Sequence, residues 1–137
     1  MKKILLYASI LVSLATASCN KEETPPANDA FDATGKTLLG QASFQSDAHT
    51  TSGTVKIYAD ADKKYVVFEN FKTDDGPDLY VYLAADLGAK NFTQVSRLTN
   101  LSGNFNYVFD KNVNEKTQNK VLIWCKKFSV LFGHAAL

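Results

Sequence analysis

The sequence predicts an all-β domain: an antiparallel β-sandwich or small barrel of about eight short strands. Three observations predict it. From Thr37 onward no segment holds an apolar repeat of helical period over three turns. Short runs that alternate apolar and polar residues, rich in β-branched and aromatic side chains, recur in its place. Turn clusters of Gly, Pro, Asp and Asn separate these runs.

Taken in order, Val55, Ile57 and Ala59 alternate with Thr54, Lys56 and Tyr58. The Asp60-Ala61-Asp62-Lys63 turn leads into a second run from Lys64 to Phe71. Asp74, Asp75, Gly76, Pro77 and Asp78 make the most emphatic turn, because Pro77 fixes φ and lacks an N–H. Leu79, Val81 and Leu83 then alternate with Tyr80 and Tyr82, and Asp86 to Asn91 reads as a loop or a single helical turn. Val121, Ile123 and Cys125 share one face against Leu122 and Trp124, and Phe128, Val130 and Phe132 share another against Ser129 and Leu131. Gly53, Gly76, Gly103 and Gly133 read as strand ends, where glycine tolerates backbone angles other residues resist.

The N-terminus is an address. Met1-Lys2-Lys3 is a charged segment and Ile4 to Ala15 an apolar one of about a dozen residues, short of the ~20 that span a bilayer. Ala15, Thr16, Ala17 and Ser18 lead into Cys19, which resembles a bacterial lipobox with Thr16 where Leu is usual. The expected organisation is a lipoprotein signal peptide over 1–18, lipidated Cys19 with a flexible tether over 19–35, and a β-domain over 36–137. An ordinary cleaved secretory peptide is the alternative. Pro25 and Pro26 lie in a polar, aperiodic stretch typical of a solvated linker. Asn20 is not the Asp that retains lipoproteins at the inner membrane, and Lys21-Glu22-Glu23 is similar to a surface-export signal, so the expected place is the cell envelope, on the outer membrane.

The chain of 137 residues holds one domain. With Lys+Arg 15 against Asp+Glu 14 it lacks the basic excess that nucleic acid requires. Hydrophobic residues at 45% and aromatics at 12% exclude a disordered chain. Processing would remove Lys2 and Lys3, and acylation of Cys19 would leave Cys125 as the lone thiol. Buried, Cys125 would be an inert core residue; exposed beside Lys126 and Lys127, it would be a reactive thiolate. His49 and His134 are the only imidazoles. Asp74, Asp75 and Asp78 carry the carboxylates a calcium ion uses but lack the spacing of a known calcium loop, so solvated turn chemistry is expected and no metal. Asn91-Phe92-Thr93 matches a glycosylation sequon by chance. Tyr58, Tyr80 and Tyr82, on strand faces opposite the apolar ones, could form a stacking platform for a glycan or protein. No Ser/His/Asp order, phosphate-cradling glycine loop or Cys-x-x-Cys pair occurs, so no enzyme with a recognisable catalytic constellation is expected.

Several of these pieces join into a pattern: His49 with Gly53 to Ile57, Phe68 to Phe71, Gly76 to Val81, and Trp124-Cys125 followed by Phe128, Val130, Phe132 and Gly133. It resembles the DM-thirteen domain, an electron-transfer family associated with DOMON domains and found also in bacterial lipoproteins. The resemblance covers about residues 36–137. It implies an extracytoplasmic β-domain whose one characteristic cysteine, here Cys125, acts in electron transfer either as a naked thiol or as ligand to a group such as haem, with His49 as the family's early histidine. The family turn falls on Gly76, Pro77 and Asp78, and the tryptophan before the cysteine on Trp124. The expected partners are the membrane, through the lipid anchor, and an unidentified redox partner, glycan or protein, for a monomer. A non-catalytic ligand-binding sandwich is the rival reading.

Overall fold

In a computed structural model, residues 30–137 are described; the expected signal peptide, Cys19 and most of the expected tether lie outside them. Nine strands make up the domain: β1 (Thr37–Ser43), β2 (Gln45–Ser46), β3 (Thr51–Ala59), β4 (Lys64–Thr73), β5 (Leu79–Ala84), β6 (Phe92–Arg97), β7 (Ser102–Phe109), β8 (Lys120–Cys125) and β9 (Val130–Ala136). They form two antiparallel sheets, ordered β1-β3-β4-β7 and β2-β9-β8-β5-β6. The fold is therefore a sandwich and not a closed barrel. Asp86 to Asn91 is a loop; Asp86 pins it by accepting from the backbone N–H groups of Gly88, Lys90 and Asn91.

The core lies between the sheets. Val55 and Ile57 of β3, Val66 and Phe68 of β4, Leu79, Val81 and Leu83 of β5, and Val121, Ile123 and Cys125 of β8 all point inward, as period-two alternation requires. Phe44 joins β1 to β2 and so carries the chain from one sheet to the other. Its ring stacks on Phe68 at 5.7 Å and meets the edge of Phe71 at 5.2 Å, and its N–H donates to the Gly53 carbonyl.

Gly53 and Gly103 are not strand ends. Both sit inside strands at register shifts, with φ of 106° and 105°, and Asn70 on the strand between them has φ 47°. These are β-bulges, where one extra residue needs the left-handed backbone that glycine and asparagine tolerate. A Cβ on Gly53 would stand 2.7 Å from the Asn70 carbonyl oxygen and the Phe71 Cα. Gly133 also lies within a strand, packed so closely on Thr51 of the opposite sheet that no side chain fits there. Phe128 is outside β9, on the turn before it, with 63% of its surface exposed.

The tether ends earlier than residue 35. Phe31 packs its ring 5.2 Å from Tyr58 and 5.3 Å from Tyr65 on the outer face of the four-stranded sheet. Between β3 and β4, Asp60 accepts from the N–H groups of Asp62 and Lys63 and from the Tyr65 hydroxyl at 2.7 Å. These donors, the Tyr65 hydroxyl first, hold the Asp60 carboxyl down to about 2 from an ordinary 3.8.

Two outcomes are expected. Gly53→Ala combines strain with collision, so urea unfolding should show a loss of about 3 kcal/mol. Gly35→Ala, at φ 71° with open space around it, should cost only about 1 kcal/mol. Because the Asp60 pKa is depressed by folding, its stabilisation is present above the ordinary carboxylate range and is lost as pH falls towards 2. Tyr65→Phe removes the largest cause, so its stability should fall less steeply than the wild type's from about pH 4 to about pH 2 in acid titrations followed by circular dichroism.

Candidate functional site

Cys125 ends β8. It faces Leu79, the first residue of β5, on one side and Val130, the first of β9, on the other. Period two turns its side chain inward with Val121 and Ile123, and its surface is 0% exposed. The Lys126 N–H donates to the Asp78 carbonyl at 2.9 Å and ties this strand end to the Gly76-Pro77-Asp78 turn.

That turn, His49 and Phe132 form a wall at the same end of the sandwich. A register shift between Ile123 and Trp124 bulges Phe132 out of the β8–β9 ladder. The His49 imidazole stacks on the Phe132 ring at 3.9 Å, and from the other side Gly76 lies so close to that ring that an added Cβ would stand 2.8 Å from it. Glycine at 76 is therefore a packing requirement: it lets the turn close over Phe132 and Leu79. The loop carrying His49 is sewn down by backbone bonds from Asp47, Ala48 and His49 to the carbonyls of Leu131 and Phe132, and by the Thr50 N–H to Asp74 Oδ2. His49 Nδ1 is 3.5 Å from Asp74 Oδ2, and His134 Nδ1 is 2.6 Å from Asp47 Oδ2. Thr51 and Thr73, both buried, satisfy each other's hydroxyls at 3.1 Å.

The three turn carboxylates do not converge. Asp74 meets His49 and Thr50, Asp75 accepts from the Gly76 N–H, and Asp78 is 3.5 Å from Arg97. Among the described residues no group of three or more His, Cys, Asp or Glu side chains is placed to hold a metal ion.

The sequence-derived site is thus partly assembled. His49, Gly76, Pro77, Asp78, Leu79 and Cys125 share one end of the fold, but the imidazole is taken by Phe132 and Asp74. A thiolate-ligated haem does not fit these residues, because core side chains completely cover the Cys125 Sγ and His49 is held between a ring and a carboxylate. Lys126 and Lys127 do not serve the thiol either. Their ammonium groups lie over the Tyr80 and Phe128 rings, at 5.3 and 5.5 Å.

The tyrosine platform is also redrawn. Tyr58 is on the four-stranded sheet under Phe31, whereas Tyr80 and Tyr82 are on the five-stranded one, so the three cannot share a surface. Tyr82 is only 2% exposed because Phe92 stacks on it at 4.2 Å and Trp124 flanks it. Phe92 was legible in the sequence only as part of a sequon, and Trp124 only as the neighbour of the cysteine.

A family model described as Electron transfer DM13 matches residues 43–137. No curated protein and no solved structure matches the chain.

The burial of Cys125 sets the expected effect of changing it. Cys125→Ser places a hydroxyl in an apolar core and should cost about 1–3 kcal/mol in urea unfolding. Cys125→Ala, which removes one atom and adds no polar group, should cost about 1 kcal/mol and is the cleaner probe of function.

Proposed function

The chain belongs to the DM13 electron-transfer family, and on that premise we propose that its sandwich takes part in electron transfer through the single thiol of Cys125. The observation that supports this reading is convergence: the motif residues, far apart in sequence, meet at the sandwich end where β8 delivers Cys125. The rest of the reading concerns place. Lipidation of Cys19 would anchor the domain to the outer membrane through the residues before Phe31.

A lone thiol exchanges electrons with a partner disulfide. The thiolate attacks one partner sulfur, a Cys125–sulfur bond forms as the partner S–S bond breaks, and the displaced sulfur leaves as thiolate. Burial requires that this follow an opening of the structure. Cys125 and Val130 are the last paired residues of the β8–β9 ladder, and the connecting residues Lys126, Lys127, Phe128 and Ser129 are exposed. Ladder ends open at lower cost than ladder centres. Cys125 also pairs with Leu79, and the Lys126 N–H bonds the Asp78 carbonyl, so the motion that would uncover the sulfur is release of this strand end from both neighbours, without global unfolding. No enzyme activity is required of such a domain; it acts as a carrier.

The test is the reaction of Cys125 with an aromatic disulfide reagent in a Cys19→Ser chain, followed across urea concentrations. Local opening predicts a rate that saturates with reagent and has a urea slope well below the global value of about 1–3 kcal/mol/M. A rate that tracks global unfolding at every urea concentration would overturn the thiol reading.

A further inference from the structure

The outer face of the five-stranded sheet carries a second apolar cluster that the core of the sandwich does not need. In a two-layer sandwich the outward residues of each strand face solvent and are ordinarily polar. Here Tyr80 and Tyr82 of β5, Phe92 of β6, and Leu122 and Trp124 of β8 are all outward, and Phe92 keeps 41% of its surface exposed. They floor a cleft of about 400 Å³, lined by Tyr82, Phe92 and Trp124 with Gly88 and Ala89 on one wall and Lys126 and Ser129 on the other.

The walls are built. Asp86 holds the first loop through three backbone N–H groups. Ala89 and Ser129, one on each wall, are two of the three non-glycine residues with positive φ among the described residues, at 49° and 52°. Such conformations persist only where surrounding structure imposes them.

The floor has a particular shape. Phe92 stacks on Tyr82 at 4.2 Å and 18° and so turns its other face outward, and Trp124 flanks Tyr82 at 6.3 Å and 26°, unlike the edge-to-face packing of the core phenylalanines. Flat π-faces carry negative charge density and attract the polarised C–H groups on one face of a pyranose ring. Among the residues that line the cleft the charge is one-sided. Lys126 lines the cleft, Lys127 follows it, and Lys90 is exposed on the facing loop, while no carboxylate lines the cleft. Asp86 is engaged by its own loop and Asp78 by Arg97.

We propose that this cleft binds an acidic polysaccharide, one pyranose ring lying on the exposed face of Phe92 beside Trp124 with its anionic substituent at Lys126. The site is separate from Cys125, which the same strand points to the opposite face of the sheet.

Trp124 is the only tryptophan in the chain, so its fluorescence reports on this cleft alone. Alginate, a polyuronate, is titrated into the full chain, with a neutral β-glucan and polyglutamate in parallel. A saturable shift of Trp124 emission with alginate is expected. Phe92→Ala and Lys126→Glu should each weaken that binding about ten-fold or more while the chain stays folded at the titration temperature; Phe92→Ala, which uncovers Tyr82, lowers the unfolding midpoint, and Lys126→Glu leaves it unchanged. Cys125→Ala should leave it unaltered. The neutral glucan should bind about ten-fold more weakly than alginate, and equal binding overturns the anionic assignment. Polyglutamate binding as tightly as alginate, or alginate binding that survives Phe92→Ala, identifies a charge patch for acidic chains and overturns the sugar site. No emission change with alginate overturns the proposal outright.

Discussion

Three left-handed residues, Gly53, Asn70 and Gly103, lie side by side across β3, β4 and β7, and the rest of the structure depends on the phase shift they introduce. Without the extra residue in β4, alternation would send Phe68 inward and Phe71 outward. With it, Phe68 and Phe71 both enter the core, where they pack edge to face at 5.1 Å and receive Phe105 and Phe44. Phe44 can then carry the chain from one sheet to the other while its ring stays buried. The same shift turns Thr73 inward to meet Thr51 and sets Asp74 at the strand end beside Thr50 and His49. A local backbone conformation thus decides both the aromatic core and the end of the sandwich where the family residues gather.

At that end the chain packs with little room to spare. Gly133 stands against Thr51, Gly76 against Phe132, and no Cβ fits comfortably at either position. Close approach seals the interior, and sealing is what covers Cys125. Packing and reactivity therefore oppose each other here. A thiol covered this completely is protected from adventitious oxidation, and the proposed chemistry would need the end of β8 to open. Activity through such a group is governed by an opening equilibrium as much as by intrinsic nucleophilicity.

How much of this was legible in the sequence follows from which features have a period. Alternation placed Val55, Ile57, Leu79, Val81, Leu83, Val121, Ile123 and Cys125 on inward faces, and all of them are there. The sandwich itself and the Gly76-Pro77-Asp78 turn follow from the same reasoning. Bulges have no period. Gly53 and Gly103 therefore read as strand ends, Phe132 gave no sign of leaving its ladder, and Phe128 read as part of a strand when it is an exposed turn residue. Pairing order leaves no local trace either, so Tyr58 was grouped with Tyr80 and Tyr82 although it lies on the other sheet. The His49–Phe132–Gly76 stack was visible only as three separate motif residues, because what joins them is a long-range approach.

The end of β8 shows how one strand can serve two surfaces. Period two sends Cys125 inward and Trp124 outward, so adjacent residues belong to environments on opposite faces of one sheet. The residues that follow belong to both. Lys126 and Ser129 line the outer cleft, and in the proposed thiol chemistry the turn they bound would have to move for Cys125 to be reached. Any ligand that contacts both residues binds the closed turn better than the open one, and it shifts the population by that difference in affinity. If both proposals hold, occupation of the cleft and exposure of the thiol would be linked equilibria, coupled through a turn of four residues and not through any contact between ligand and sulfur.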